Sequence, residues 1–228
     1  MSTIKLDFIS ASDAEKTVKR WHYSKTMPVS RPIICIGAWE NGKYVGCVIF
    51  SPGAAPKLGS PYGLHMFECT ELVRVALCRR ETSTSKILAI ALRLVKKHSP
   101  GIRLIVSFAD PVQQHMGTIY QATNWVYAGT SSPSTELRLN GKRMNRRAYT
   151  GVNFGNSRLP IPKGAVWVDV PGKHRYLFPM DDEMRERIAP LSQPYPKRQP
   201  VGVAGVHPAQ GGASPTLTLH PREVPDGN

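Results

Sequence analysis

The stretch ELVRVALCRRETSTSKILAIALRLVKKHSPGIRLIVSFAD, residues 71–110, decides the fold. Its first seven residues are rich in branched apolar side chains and predict a β-strand. Residues 83–99 place apolar side chains on one stripe at helical spacing and end in basic residues before Pro-Gly, which predicts an amphipathic helix. Residues 102–110 are a continuous apolar run typical of a buried strand. This strand–helix–strand order indicates an α/β sheet.

Further elements flank this unit on both sides. HMGTIYQATN (115–124) predicts a helix of about ten residues, and WVYAG (125–129) predicts a strand. Upstream, Ser12 as N-cap and Glu15 three residues later predict a helix that ends near Trp21. The remaining predicted elements are a hairpin of strands 33–39 and 44–50, a basic hairpin within 136–150, strands 165–170 and 175–179, and a short helix 181–189.

Together these elements predict a mixed α/β sheet flanked by helices. A doubly wound dinucleotide fold is excluded, since neither G-x-G-x-x-G nor G-x-x-x-x-G-K-[ST] occurs. We expect one catalytic domain over residues 1–189 that includes the basic hairpin. From residue 190 onward the chain has 8 Pro and 5 Gly in 39 residues, which predicts a disordered tail over 190–228.

Composition excludes several classes of protein. The chain has 228 residues, 41% of them hydrophobic, which is enough to bury a core. No apolar run approaches the roughly 18 residues that span a membrane, and the N-terminus lacks a secretory signal pattern. The four cysteines show no C-x-x-C pairing, so we expect reduced, mostly buried thiols and a cytoplasmic protein.

The net charge of +14 is concentrated in one part of the chain. Residues 82–168 hold twelve Lys and Arg but only two acids, Asp110 and Glu136. A basic surface that also lacks acids favours double-stranded DNA as a partner over a merely solvated face. The densest part is RLNGKRMNRRAY, and its candidate phosphate-binding residues are Lys142, Arg143, Arg146 and Arg147.

Two segments resemble the core of GNAT acyltransferases. They are residues 71–92, a strand, a polar loop and a helix, and residues 102–129, a strand and a helix with a Tyr near its end. The resemblance implies that the loop before the first helix holds an acyl donor's pyrophosphate on backbone N–H groups. The nearest fit to the family's Arg/Gln-x-x-Gly-x-Gly/Ala pattern is Arg80-x-x-Ser83-x-Ser85, without either glycine. It also implies that Tyr120 can protonate the leaving group.

A closer resemblance is to the phage Mom DNA-modification proteins. It rests on WHYSKTMP (21–28), ELVRV (71–75) and SFADPVQQHMGTIYQATNWVYAG (107–129), and covers roughly residues 15–150. It implies an enzyme that converts DNA adenine to N6-carbamoylmethyl adenine and so protects phage DNA from host restriction. It also implies a metal, reported as iron, at His22, Tyr23 and Asp110, with Arg74 on the central strand.

Each candidate residue has more than one interpretation. His22 and Asp110 form a mixed N/O site that suits iron or another divalent metal, or they shuttle protons of the adenine amino group. Asp110 alternatively caps the helix that follows, and Tyr120 alternatively serves as a core aromatic residue. Arg74 alternates with Val73 and Val75, so we expect it to face the other side of the sheet and to hold phosphate or pair with Asp110 or Glu71. Ser107 and His115 flank Asp110 as weaker candidates, and Trp21, Tyr23 or Tyr62 are candidates for stacking on an extruded adenine.

The sequence leaves alternatives for the acyl donor and for the class of function. A carbamoylmethyl group is attached through an alkyl carbon, so simple acetyl transfer does not make it. A glycyl ester on transfer RNA would be a suitable donor and would account for the missing glycines, and an acetyl-coenzyme A-like donor is the alternative. The competing functions are a coenzyme A-dependent N-acetyltransferase of a small amine or protein, and a non-enzymatic DNA-binding protein. The oligomeric state is open, with a dimer among the alternatives.

Overall fold

The computed structural model of the chain describes residues 2–28, 30, 34–53, 57–144, 149 and 159–197. The chain divides into two compact units. The first comprises Met1–Thr130 and His174–Lys197, and the second comprises Ser131–Lys173 and Arg198–Asn228. Most of the predicted tail, residues 198–228, lies outside the described residues.

A seven-stranded mixed sheet forms the centre of the first unit, with strand order β1-β2-β3-β4-β5-β10-β6. Every neighbouring pair is antiparallel except β4 and β5, which are parallel. The predicted mixed α/β architecture is therefore confirmed. The strands are β1 (Ile4–Phe8), β2 (Ile34–Glu40), β3 (Lys43–Ser51), β4 (Cys69–Leu77), β5 (Leu104–Ala109), β6 (Val126–Thr130) and β10 (His174–Pro179).

Helices cover both faces of this sheet. The helices are α1 (Ala11–Trp21), α2 (Thr84–His98), α3 (Thr118–Gln121) and α4 (Asp182–Ile188). The apolar stripe of α2 packs in one core cluster with Ile36 and Val48, whereas α1 packs with Cys47 and Ile49. Since adjacent residues of β3 point to opposite faces, α1 and α2 lie on opposite sides of the sheet. The helix α4 packs in a third cluster with Leu104, Val106 and Leu177.

Three local predictions are wrong. β1 was not expected, and it pairs with β2 at the sheet edge. The N-cap of α1 is Ser10 and not Ser12, because the Ser10 side chain accepts a hydrogen bond from the Asp13 N–H and also contacts the Asp13 carboxylate. The helix predicted over residues 115–124 shrinks to the four residues of α3.

Gly117 explains why α3 is short. It has φ +73° and stands directly before the helix, so the chain cannot enter a helix earlier. A Cβ at this position would lie 2.3 Å from the Tyr176 ring, so a close approach also requires glycine. The Tyr176 hydroxyl donates to the Met116 carbonyl at 2.6 Å and fixes the segment that leads into α3.

The second unit contains a three-stranded antiparallel sheet of order β8-β7-β9. The strands are β7 (Ser134–Leu139), β8 (Lys142–Arg143) and β9 (Ala165–Val170), and the predicted Asn140-Gly141 turn joins the first two with φ +50° and +74°.

All four cysteines are free, and three of them are buried, as predicted. Among the described residues, no helix is both long and apolar enough to cross a membrane.

Candidate active site

The parallel strands β4 and β5 diverge in the middle of the sheet. Their pairing runs from Cys69–Leu104 to Glu71–Val106 and then stops, although β4 continues to Leu77 and β5 to Ala109. Beyond Val106, β5 stays paired with β10 as far as Ala109. The two central strands therefore part beyond Glu71 and Val106, and the region between them is called the cleft below.

Ser107 and Tyr120 lie where this cleft begins. Ser107 is fully buried, and its Oγ lies 2.9 Å from the Leu72 carbonyl oxygen of β4 and 2.7 Å from the Tyr120 hydroxyl. A hydroxyl has one proton and a carbonyl only accepts, so when Ser107 donates to Leu72 the Tyr120 hydroxyl donates to Ser107. Burial raises the pKa of Tyr120 to about 12, with a smaller contribution from the nearby Glu71 and Tyr23, so Tyr120 keeps its proton at neutral pH.

His22 ends α1 and is held in one orientation. Its backbone N–H closes the helix on Val18, and its ring Nδ1 lies 3.1 Å from the Ser24 N–H and 2.8 Å from the Ser24 hydroxyl. Because a backbone N–H only donates, Nδ1 carries the lone pair and the ring proton is on Nε2. Burial, with smaller electrostatic contributions from Arg74, His115 and Lys25, lowers the pKa of His22 to about 4. The ring is therefore neutral at pH 7.

Aromatic contacts connect the loop after α1 (residues 22–28, the His22 loop) with the segment after β5. The Tyr23 ring lies 4.3 Å from the His22 ring and 5.5 Å from the His115 ring, edge-on. The side chain of Tyr23 is 57% exposed, whereas Tyr62 is buried in the core and is not available for stacking. Trp21 is half-buried with its ring 5.9 Å from that of Tyr44, so Tyr23 is the exposed one of the three candidates.

Hydrogen bonds from Arg74 link the His22 loop to the central strand β4. Its Nε donates to the Thr26 carbonyl at 3.2 Å, and a terminal nitrogen donates to the Val73 carbonyl at 2.7 Å. The expected strict alternation along β4 is wrong, because the register with β3 skips Val73 at a bulge. Val73 consequently packs on the α1 side of the sheet while Val75 packs on the α2 side.

Asp110 directly follows β5 and caps the turn behind it. Its Oδ1 accepts a hydrogen bond from the Val112 N–H at 3.0 Å, and its carbonyl accepts one from the His115 N–H at 3.1 Å. The capping role is therefore confirmed, but for a 3-10 turn (Pro111–Gln113) and not for the helix α3.

The structure thus brings most of the predicted site residues to one region and adds Glu71. His22, Tyr23 and His115 are in ring contact, Arg74 holds their loop, and Ser107 and Tyr120 sit at the strand junction. Glu71 lies close enough to Tyr120 to affect its pKa. Its signal in the sequence was a carboxylate in a largely apolar central strand, where a charge requires a partner or a function.

The predicted donor loop (residues 80–85) forms hydrogen bonds within the chain. Arg80 donates to the Cys78 carbonyl and to the Thr84 hydroxyl, while Ser83 caps α2 by accepting from the Lys86 N–H and contacts the Ser85 hydroxyl at 3.1 Å. The N–H groups of Glu81 and Thr82 donate to the two carboxylate oxygens of Glu40, at 3.0 and 2.7 Å. Two of the loop's backbone N–H groups therefore already bind an anion from this same chain.

The described residues do not fit the expected metal. Nδ1 of His22 is occupied by Ser24 and Nε2 carries the ring proton, so neither nitrogen presents a free lone pair. The neighbouring Arg74 and Lys25 also make the position unfavourable for a further cation. Within the described parts of the chain, no group of three or more His, Cys, Asp or Glu side chains is arranged to bind a metal ion.

Part of the positive charge of the predicted DNA-binding hairpin is paired with an acid of the same hairpin. Arg143 and Arg138 both pair with Glu136, at 3.0 and 3.3 Å, while Lys142 is exposed on β8. Arg146 and Arg147 lie outside the described residues. The hairpin that the sequence predicts is present, and its described part carries less free charge than the sequence alone indicated.

A basic groove in the first unit provides a second cationic surface. It has a volume of about 520 Å³ and is lined by α2, the end of α3, β10 and Arg185 of α4. Lys86, Arg93 and Lys96 recur along one side of α2 and line this groove. Among the described residues these three side chains form no ion pair, so their charge is available to an anionic ligand.

Solved N-acetyltransferases are similar to this chain in fold. A GNAT-family acetyltransferase of Bacillus cereus is 14% identical with a TM-score of 0.39, covering 78% of this chain and 97% of its own. A Bacillus subtilis acetyltransferase in complex with coenzyme A is 12% identical with a TM-score of 0.43, covering 78% and 99%. An N-acetyltransferase of Staphylococcus aureus is 10% identical with a TM-score of 0.42, covering 78% and 98%.

Sequence comparison is more specific. The methylcarbamoylase Mom of Escherichia phage Mu is 25% identical over 204 residues, which cover 85% of this chain and 84% of that protein. The model of the Mom protein family matches residues 3–197, a span that includes the cleft, the His22 loop and the donor loop. The chain therefore belongs to the Mom protein family.

Proposed function

We propose that this protein modifies adenine in double-stranded DNA, attaching a carbamoylmethyl group to the N6 position. The observation that carries the proposal is the match to the Mom family over residues 3–197, which include every cleft residue. A cleft between diverging strands, with a buried hydroxyl pair at its base and a carboxylate after β5, supports group transfer as the chemistry. The modified phage DNA is protected in the cytoplasm of the host.

The adenine must leave the duplex before it can react. Extrusion of a base costs a few kcal/mol and is offset by stacking and hydrogen bonding in the receiving site. Tyr23 is 57% exposed and in ring contact with His22, and we propose that it stacks on the extruded purine. Asp110 then accepts a hydrogen bond from the adenine amino group and takes its proton as the nitrogen attacks.

For the transfer itself, we propose two steps that balance without an oxidant or a reductant. The adenine amino nitrogen attacks the ester carbonyl of a glycyl donor, with glycyl-transfer RNA as the donor, and the ribose hydroxyl leaves. The new glycyl amine then attacks the purine carbon and the original carbon–nitrogen bond breaks. The original adenine nitrogen ends as the carboxamide nitrogen, and a proton moves from the attacking amine to it.

The buried hydroxyl pair supplies the acid in the first step. A leaving ribose alkoxide is strongly basic, so an acid whose pKa is near 12 remains protonated at neutral pH and is still able to protonate it. Ser107 holds the Tyr120 hydroxyl in place while no donor is bound. The neutral ring of His22 serves as a hydrogen-bond donor through Nε2, since its lone pair already accepts from Ser24.

The mechanism is tested by an isotope label and the donor by reconstitution. DNA that carries ¹⁵N at the adenine amino position is incubated with the protein and glycyl-transfer RNA, and the product nucleoside is fragmented in a mass spectrometer. The label is expected in the carboxamide. A label that stays on the ring-attached nitrogen would rule out the second step, and product formed with acetyl-coenzyme A in place of glycyl-transfer RNA would rule out the donor.

DNA binding involves cations from both units. We propose that Lys86, Arg93 and Lys96 contact DNA phosphates along the basic groove of the first unit. In the second unit, Lys142 and Arg143 of the hairpin are proposed as phosphate contacts of their own. Phosphate contacts of this kind position a duplex without reading its sequence. Arg143 has to exchange part of its pairing with Glu136 for phosphate, whereas the groove cations do not exchange any ion pair within the described residues.

A further inference from the structure

Glu40 stands at the end of β2 and reaches the loop that precedes α2. Its side chain is buried, with 9% of the residue exposed, and its two carboxylate oxygens accept from the N–H groups of Thr82 and Glu81. The Thr82 side chain and these two backbone donors lower the pKa of Glu40, so the carboxylate is ionised at neutral pH. A buried carboxylate that is bound by two backbone donors is an anion in an anion-binding position.

The rest of the loop is organised around this carboxylate. Arg80 lies close enough to Glu40 for the two charges to interact favourably. Ser83 is committed to capping α2, and the guanidinium of Arg80 is folded back on Cys78 and Thr84. Two backbone N–H groups of the loop and the terminal nitrogens of Arg80 are thus already hydrogen-bonded within the chain.

We infer that Glu40 acts as a built-in anion that excludes pyrophosphate from this loop and so determines which class of acyl donor the protein accepts. A pyrophosphate entering here would have to displace a buried carboxylate, which would then be left without its donors. It would also place two negatively charged groups in contact. Donors that carry their acyl group on a pyrophosphate-linked nucleotide, such as coenzyme A thioesters, are therefore rejected at this loop.

Glu40 occupies the loop whatever reaction the protein catalyses. The effect of Glu40 on the choice of acyl donor rests on the proposed function. The acyl donor of the reaction must be bound through other groups of the protein. Glu40 is thus a specificity-determining residue that acts by occupying the loop, and it need not contact the reacting atoms.

The test is a gain of binding in a full-length variant. Glu40→Ala removes the internal anion and is expected to bind coenzyme A and inorganic pyrophosphate at least about tenfold more tightly than the unmodified chain, measured by calorimetry. Glu81→Ala is the matched control, because it removes an exposed carboxylate from the same loop and changes the net charge equally. It is expected to leave the affinity for both probes unchanged.

Two results would overturn the inference. One is a folded Glu40→Ala protein that binds both probes no better than the Glu81→Ala control. The other is read on the unmodified chain, and so does not depend on the variant folding: addition of coenzyme A shifts the amide NMR signals of Glu81 and Thr82. Glu40→Gln keeps the shape of the side chain and is expected to gain binding to a smaller extent. Neither readout involves DNA, so failure here is distinct from failure of the proposed function.

Discussion

Tyr120 combines a packing role with a proposed chemical role, and the two can be separated. Its ring packs against Trp125 at 5.0 Å and Tyr176 at 4.9 Å, while its hydroxyl contacts Ser107. The ring contributes to the core through its apolar area, and the hydroxyl contributes the proton. A change that deletes only the hydroxyl therefore distinguishes an acid from a core aromatic residue.

Tyr120→Phe is expected to lower the rate of DNA modification by about 10²-fold or more, the range for loss of a general acid, while the ring keeps its packing. The rate is measured in single turnover with excess protein. Tyr127→Phe is the control, because it removes a hydroxyl that is bonded to His174 in the same aromatic cluster. Equal rates for Tyr120→Phe and the unmodified protein would assign Tyr120 to the core alone.

Asp110→Asn tests the carboxylate without disturbing its turn. The amide oxygen of Asn still accepts from the Val112 N–H, so the cap is kept, but the group can no longer take a proton. We expect DNA modification to fall by about 10²-fold or more with an unchanged melting temperature. Asp7→Asn, at an exposed carboxylate that accepts from the Phe8 N–H, removes the same charge and should leave activity unchanged.

At the scale of elements, α4 is tied to β5 through charged side chains. Asp181 caps α4 by accepting from the Met184 N–H at 2.7 Å, and it also binds Arg103 at 2.8 Å. Arg103 additionally contacts Glu183 at 2.8 Å. The hydrogen bond from Arg103 lowers the pKa of Asp181, with smaller contributions from the Met184 N–H and Arg187.

The depressed pKa of Asp181 gives a pH dependence of defined sign. A carboxylate whose pKa is lower in the folded state adds stability above its unfolded pKa, and this stability disappears as the pH falls through the folded value. Asp181→Ala should cost about 1 kcal/mol in free energy of unfolding at pH 7 through loss of the cap. Asp181→Asn keeps a capping side chain and should lose only the charge contribution.

Urea titrations at a series of pH values below 5 measure this. The difference between the unmodified protein and Asp181→Asn should shrink as the pH falls below the unfolded value of 3.8. A difference that persists unchanged at the lowest pH would mean that the ion pair with Arg103 does not stabilise the fold.

Periodicity along the sequence predicts the elements that are buried on a long stripe or a continuous run. β4, α2 and β5 follow this rule, and their predicted bounds agree with the structure to within a few residues. β1 was missed because IKLDF is a short edge strand in which only Leu6 is buried, so its pattern is weak. The bulge at Val73 and the left-handed Gly117 depend on tertiary contacts, which local sequence does not report.

Motifs in the sequence were enough to propose the candidate site residues, whereas contacts between residues distant in sequence could not be predicted. His22, Tyr23, Arg74, Ser107, Asp110 and Tyr120 lie in motifs that resemble the family, and the fold brings them to the cleft. Glu40 was missed because its partners Glu81 and Thr82 are more than forty residues away in sequence. The ring orientation of His22, which disfavours a metal, is fixed by Ser24 and is likewise invisible in composition.

For the whole molecule, the net charge of +14 predicts DNA affinity that falls steeply with salt. Replacing Lys86, Arg93 and Lys96 by Ala should reduce the slope of log affinity against log salt by about 3, close to 0.9 per lost phosphate contact. Fluorescence anisotropy with a labelled duplex measures the slope. The matched variant replaces Lys5, Lys16 and Lys19, which are paired with acids, and removes the same charge. An equal loss of slope in both variants would mean that the groove makes no phosphate contact.

Modification of adenine in DNA is the central activity proposed for this chain. The most direct measurement is mass spectrometry of nucleosides from the DNA of a bacterium that expresses the full chain, compared with a bacterium that expresses Asp110→Asn. We predict deoxyadenosine that carries one added carbamoylmethyl group in the culture with the full chain, and a strong reduction of that product in the culture with Asp110→Asn. Unmodified deoxyadenosine in the presence of soluble, folded protein would contradict it.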